Sequence, residues 1–172
     1  MFLDGGGENC LEALKQTDAV FKSLGNQGTD ICPVKNAVRI SKFKDTTLSS
    51  SVILSCPTAV DTANWLADIE AKHITHMGTL NCRERRGSGL MSEHSFGMAI
   101  DVSAIDGAIV AKHWKDKGSQ GEKLREAANA ACKYFSNVLT PETNKLHLDH
   151  FHLDSGIGFQ CDVKAKLKLA KW

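Results

Sequence analysis

Six cysteines, Cys10, Cys32, Cys56, Cys82, Cys132 and Cys161, are spread along the chain at wide intervals and form no CxxC pair. That spacing excludes the clustered thiolates of a zinc finger. An even number scattered over one domain predicts up to three disulfides, which persist only in an oxidising compartment. Many pairings of six cysteines are possible; Cys10 with Cys32 is the expected local pair and the others stay open. The competing reading is six buried thiols in a cytosolic protein.

At 172 residues the chain matches one compact domain able to bury its own core. Residues 1–7, with three consecutive glycines, are expected to be a flexible lead-in, and residues 8–172 a single domain. Hydrophobic content of 42% with 24% charged residues is that of a globular protein and excludes disorder or low complexity. With 21 basic against 20 acidic side chains, the field is too weak to select nucleic acid or an anionic lipid surface. No run approaches the roughly 18–20 apolar residues of a transmembrane segment. The start, MFLDGGGENC, lacks the basic stretch and apolar core of a signal peptide. A periplasmic or secreted location is therefore expected with the leader absent from this sequence.

Between residues 10 and 24, Leu11, Leu14, Phe21 and Leu24 recur at mostly helical spacing and predict a helix ending at Gly25. Residues 31–57 alternate short apolar runs with polar residues and predict strands. Helical spacing returns over 58–72 through Val60, Ala63, Trp65, Leu66 and Ile69, with Pro57 or Thr58 at its start. Residues 74–80 predict a strand and 81–90, NCRERRGSGL, a charged loop. Segments 99–102 and 108–111 predict a hairpin around Asp106 and Gly107. Residues 123–135 carry Leu124, Ala127, Ala128, Ala131 and Phe135 on one helical face, and 146–154, LHLDHFHLD, predicts a strand. The sum is an α+β domain: a small antiparallel sheet packed with about three helices and stabilised by disulfides.

His147, His150 and His152 crowd beside Asp149 and Asp154. On a strand His150 and His152 project from one face and Phe151 from the other, so one imidazole can bind a metal while its neighbour meets substrate. The bland alternative is a surface strand with solvated histidines. The second piece is SEHSFGMAIDV, residues 92–102, in which Asp101 falls within an apolar strand pattern. Burying that carboxylate unpaired costs several kcal/mol, and a cation is the natural compensation. Gly97 supplies the turn that brings His94 to the side of Asp101. Two histidines and one carboxylate leave a coordination position open, as in catalytic zinc. His73, His76 and His113 have no partner in sequence and read as surface or core residues.

The pairing of SEHSFGMAID, 92–101, with DHFH, 149–152, resembles the extensin-like C-terminal domain family, related to the D-Ala-D-Ala metallopeptidases with their SxHxxGxAxD and HxH signatures. The likeness includes CPV at 32–34, the Cys56 and Trp65 region, Cys82-Arg83, and Cys132 followed by Phe135. The resemblance implies a zinc peptidase that hydrolyses peptide stems or crosslinks of peptidoglycan as a carboxypeptidase or endopeptidase. It implies one zinc per chain, held by His94, Asp101 and His152. Asp149 stands where the family places its general base, often Glu. In a regular strand Asp149 would face away from His152, so the role requires a bend near 149–150. His150 would hydrogen-bond the reaction intermediate, and Arg83 would stabilise the oxyanion or hold a substrate carboxylate. Ser92 would bind substrate or hold the turn, and His147 and Asp154 would orient the ligands from behind. The expected protein is a monomer with a peptidoglycan peptide as partner and no nucleic acid or membrane span. A non-catalytic wall-binding module that keeps the metal fold is the alternative; a thiol-dependent protein is a third reading.

Overall fold

The computed structural model describes residues 5–163. Helix α1 (Gly5–Gln16) presents Cys10, Leu11 and Leu14 to the core. It stops where Thr17 turns its hydroxyl onto the Leu14 carbonyl and Asp18 takes a left-handed conformation, φ 58°. The chain then extends into β1 (Val20–Thr29), so the helix expected over 10–24 is half helix and half strand. The apolar spacing there fits a helix, but pairing of β1 with β2 (Cys32–Phe43) overrides it. Of the expected lead-in, residues 1–4 lie outside the described residues, as do residues 164–172 of the expected domain. Gly5–Gly7 begin α1.

Strand β2 pairs antiparallel with β3 (Thr46–Ser55), which runs directly into α2 (Cys56–Asp68) with Pro57 in its first turn. β4 (His73–Gly78) returns parallel to β3, and β5 (Ala99–Ile105) pairs antiparallel with β4. Between them runs a loop that ends in a 3-10 turn, Glu93–Phe96. The expected hairpin is present: Asp106 and Gly107 both take positive φ, 48° and 83°, and lead into β6 (Ala108–Ile109). After it come α3 (Val110–His113), α4 (Ser119–Ala131) and β7 (Asn137–Leu139). Residues 145–154 are a 3-10 turn, Lys145–His147, followed by β8 (Phe151–Asp154) rather than one continuous strand. Asn144 accepts from the Leu146 N–H and caps that turn, an alternative to sheet pairing that short polar side chains offer. β9 (Gln160–Cys161) closes the sheet edge.

The sheet has nine strands in the order β1-β2-β3-β4-β5-β8-β7-β9, with β6 beside β5. It is mostly antiparallel, with parallel pairs β3/β4 and β7/β9. Val38, Ile40, Val52, Leu54, Ile74, Ile100, Val102, Phe151 and Leu153 enter one core with Trp65 and Leu66 of α2 and Leu124 and Ala128 of α4. Trp65 donates its indole N–H to the Ala127 carbonyl at 2.9 Å, which ties α2 to α4.

All six cysteines are paired, as Cys10–Cys56, Cys32–Cys82 and Cys132–Cys161. The local Cys10–Cys32 pair is therefore wrong, because α1 lies along α2 and brings Cys10 to the start of that helix. All six cysteines being bonded leaves the thiol-dependent reading without a free cysteine to rest on. Each bond closes a loop long enough to contribute about 4 kcal/mol on the chain-entropy account. Three disulfides fit an extracellular or secreted protein. Among the described residues no helix is long and apolar enough to cross a membrane.

Candidate metal centre

Strand alternation and register build the site. Ile100 and Val102 point into the core opposite Leu153 and Phe151, so Asp101 and His152, direct cross-strand partners, stand on the other face of the sheet. Asp154 lies two residues beyond His152 and therefore shares its face. Asn137 of β7 pairs with Asp154. His94 arrives from the 3-10 turn. Gly97 ends that turn at φ 65°, and a Cβ there would lie 2.8 Å from Val34 and 2.9 Å from the Ser55 nitrogen. Only glycine fits both the conformation and the space.

The three side chains meet. His94 Nε2 lies 3.1 Å from Asp101 Oδ2 and 3.2 Å from His152 Nδ1, and His152 Nδ1 lies 2.9 Å from Asp101 Oδ1. Ligand atoms held about 2 Å from one tetrahedral centre stand about 3.3 Å apart, so the spacing fits a small cation such as zinc. The outer nitrogens are already committed. His94 Nδ1 donates to the Thr79 carbonyl, and His152 Nε2 donates to Asp154 Oδ2 at 3.0 Å. That directs the other nitrogen of each ring toward Asp101, the arrangement by which outer partners orient metal-binding histidines. Asp154 is held in turn by Asn137 Nδ2 at 2.7 Å and the Gly156 N–H at 2.9 Å.

The electrostatics follow from these contacts. Burial alone would raise the Asp101 carboxyl, but hydrogen bonds and charge from His152 and His94 hold it far below the ordinary range. Burial disfavours the charged form of His152, yet Asp101 and Asp154 push it up to about 9. Asp154 is lowered because His152, Asn137 and the Gly156 N–H outweigh its burial. His147 is driven down to about 4, first by burial and then by repulsion from His150 and His152.

Asp101, Asp149, His150, His152, Asp154, Ser92 and Arg83 all line one groove of about 1150 Å³. A second hollow of about 700 Å³, bounded by α1, α2 and the β2–β3 turn, contains no histidine. β8 begins only at Phe151, so Asp149 precedes the strand, in the turn that follows Lys145–His147. Asp149 bonds His150 Nδ1 at 2.7 Å, and His150 Nε2 approaches Asp101 Oδ1 at 3.6 Å, so Asp149 meets the triad through His150. His147 stacks near both rings, 5.2 Å from His150 and 5.9 Å from His152 between centroids. Asp154 is behind His152 as expected, while His147 bonds Asn144 rather than a carboxylate.

Arg83 is exposed, and its backbone is clamped by Ser95 Oγ, which accepts from the Arg83 N–H at 3.0 Å and donates to its carbonyl at 2.9 Å. The Cys32–Cys82 bond ties the same loop to β2. Ser92 caps the 3-10 turn without a side-chain hydrogen bond. Thr79, Asn137 and the Arg85–Glu93 ion pair at 2.7 Å carry no site signal in the sequence. Thr79 acts through its backbone carbonyl, which leaves no mark in the sequence, whereas Ser95 lies inside the His94 motif and was open to notice.

A family model described as "Extensin-like protein C-terminus" matches residues 8–162, and the chain belongs to that family. No curated protein and no solved structure matches the chain.

Proposed function

We propose that this extensin-like C-terminal domain is a zinc-dependent peptidase of the periplasm or cell exterior, hydrolysing peptide stems or crosslinks of peptidoglycan as a carboxypeptidase or endopeptidase. The observation that carries the reading is the convergence of His94 Nε2, Asp101 and His152 Nδ1 about one point, with both outer ring nitrogens already bonded. Nitrogen and carboxylate donors in that number suit zinc with a position left open. The likeness of SEHSFGMAID and DHFH to the D-Ala-D-Ala metallopeptidases supports the same chemistry and the peptidoglycan substrate.

One zinc per chain would be held by His94, Asp101 and His152, and when bound it supplies Lewis acidity to a scissile carbonyl and to a water nucleophile. Asp149 is the general base, taking the proton of the attacking water and returning it to the leaving amine. Its bond to His150 keeps that ring directed at Asp101, where the imidazole meets the tetrahedral intermediate. The Arg83 guanidinium, on the groove wall, stabilises the oxyanion or grips a substrate carboxylate in bidentate fashion. Ser92 offers a hydroxyl on the same wall. In this reading the domain acts as a monomer.

The test is a digest of purified muropeptides with the zinc-loaded protein and product identification by mass. Cleavage is expected for the wild type and its loss for Asp149→Ala. A zinc-loaded wild type that leaves both stem and crosslinked substrates intact supports the non-catalytic wall-binding module instead.

A further inference from the structure

Helix α2 contributes no residue to the groove, yet one of its carboxylates reaches the turn behind the metal centre. Asp61 Oδ2 accepts the Ser155 hydroxyl at 2.9 Å, and the Ser155 N–H bonds the Met98 carbonyl at 3.0 Å. The residue before Ser155 is Asp154, which holds His152 from behind. The residue after it is Gly156, which donates to Asp154 Oδ1. Gly156 also sits hard against Glu93: a Cβ built there would lie 2.4 Å from the Glu93 carboxyl carbon. Glu93 immediately precedes His94. Residues 154–156 therefore continue the strand that bears His152 and pack against the segment that bears His94, and the Ser155 hydroxyl ties this turn to the helix.

Asp61 has no cation partner among the described residues. Burial raises its carboxyl, and the Ser155 hydrogen bond is what opposes the rise. A half-buried carboxylate with a single hydrogen bond is a stability cost that a purely structural contact between Ser155 and α2 does not require. We propose that Asp61 is a positioning residue for the metal centre: through Ser155 it fixes the 154–156 turn, and thereby the orientation in which Asp154 presents His152 to the metal. The inference rests on the zinc reading above and adds a control point outside the groove.

The experiment measures zinc affinity by competition with a chromogenic chelator and, separately, the unfolding midpoint of each protein in EDTA. Loss of an outer partner of a metal-binding histidine costs roughly 10–100-fold in affinity, and one step further out the lower end applies, so Asp61→Ala and Ser155→Ala are each expected to weaken zinc about tenfold. The double variant is expected to lose no more than either single one, since both break the same tether. Asp61→Asn keeps an oxygen that accepts the Ser155 hydroxyl and is expected to restore wild-type affinity. Wild-type zinc affinity in Asp61→Ala overturns the proposal, whatever happens to the midpoint in EDTA, and so do additive losses in the double variant. A wild type that takes up no zinc overturns the metal reading itself, and this inference with it.

Discussion

Asp101 and Asp106 belong to the same hairpin, five residues apart, and each is held below the ordinary carboxylate range against the opposing effect of burial. Their partners differ in kind. Asp106 is held by Lys123 Nζ at 2.9 Å and by the backbone N–H groups of Lys72 and His73, both at 2.8 Å. None of those donors gives up its proton near neutral pH. Asp101 is held by two imidazole nitrogens whose rings are anchored on their far sides by Thr79 and Asp154. Each inner nitrogen can exchange a proton for a metal. A depressed carboxylate is thus no site by itself; what sets Asp101 apart is that the protons of its partners are exchangeable.

The contrast breaks most visibly on metal content. Elemental analysis should find about one zinc per wild-type chain and a loss in His94→Ala and Asp101→Asn beyond the roughly 10–100-fold that an outer partner is worth. Asp106→Asn should keep its zinc. Equal zinc in all three variants would erase the distinction. Next in size, zinc at about a hundredfold its Kd should stabilise the wild type and Asp106→Asn by about 2.7 kcal/mol and leave Asp101→Asn unmoved, read from unfolding midpoints with and without EDTA. Asp154→Ala should weaken zinc by roughly 10–100-fold while leaving the three ligands in place, as chelator competition will show.

The smallest effect sharpens the other side of the comparison. Because the folded Asp106 carboxyl lies below its unfolded value, its contribution is complete above about pH 4 and is lost as pH falls through the folded value. Acid titration of unfolding should therefore show the wild type losing its advantage over Asp106→Asn below about pH 4. A constant difference across that range would mean that charge at Asp106 does not matter to the fold.

Much of the site was legible because its signals are local. SEHSFGMAID placed a carboxylate in an apolar alternation, and DHFH put two imidazoles at strand spacing; the structure brings His94, Asp101 and His152 together. Helix α2 was also readable, since Pro57 and the Trp65–Leu66 face carry start and stripe within one short window. The failures share a cause. Residues 20–24 carry helical spacing but are drawn into β1 by a partner strand, and residues 146–150 alternate like a strand but turn because Asn144 captures the Leu146 N–H. In both places two local conformations lie close in energy, and contacts outside the window decide between them.

By itself the sequence determined the inventory: an even set of cysteines, an apolar alternation able to bury one sheet face, and the histidines and aspartates that offer ligand atoms. Only the tertiary structure decided which cysteines join, that Asp101 stands opposite His152, and which nitrogen of each ring faces Asp101. Those outcomes depend on pairing between residues tens of positions apart. A one-residue slip of β8 against β5 would keep every local preference and turn His152 into the core.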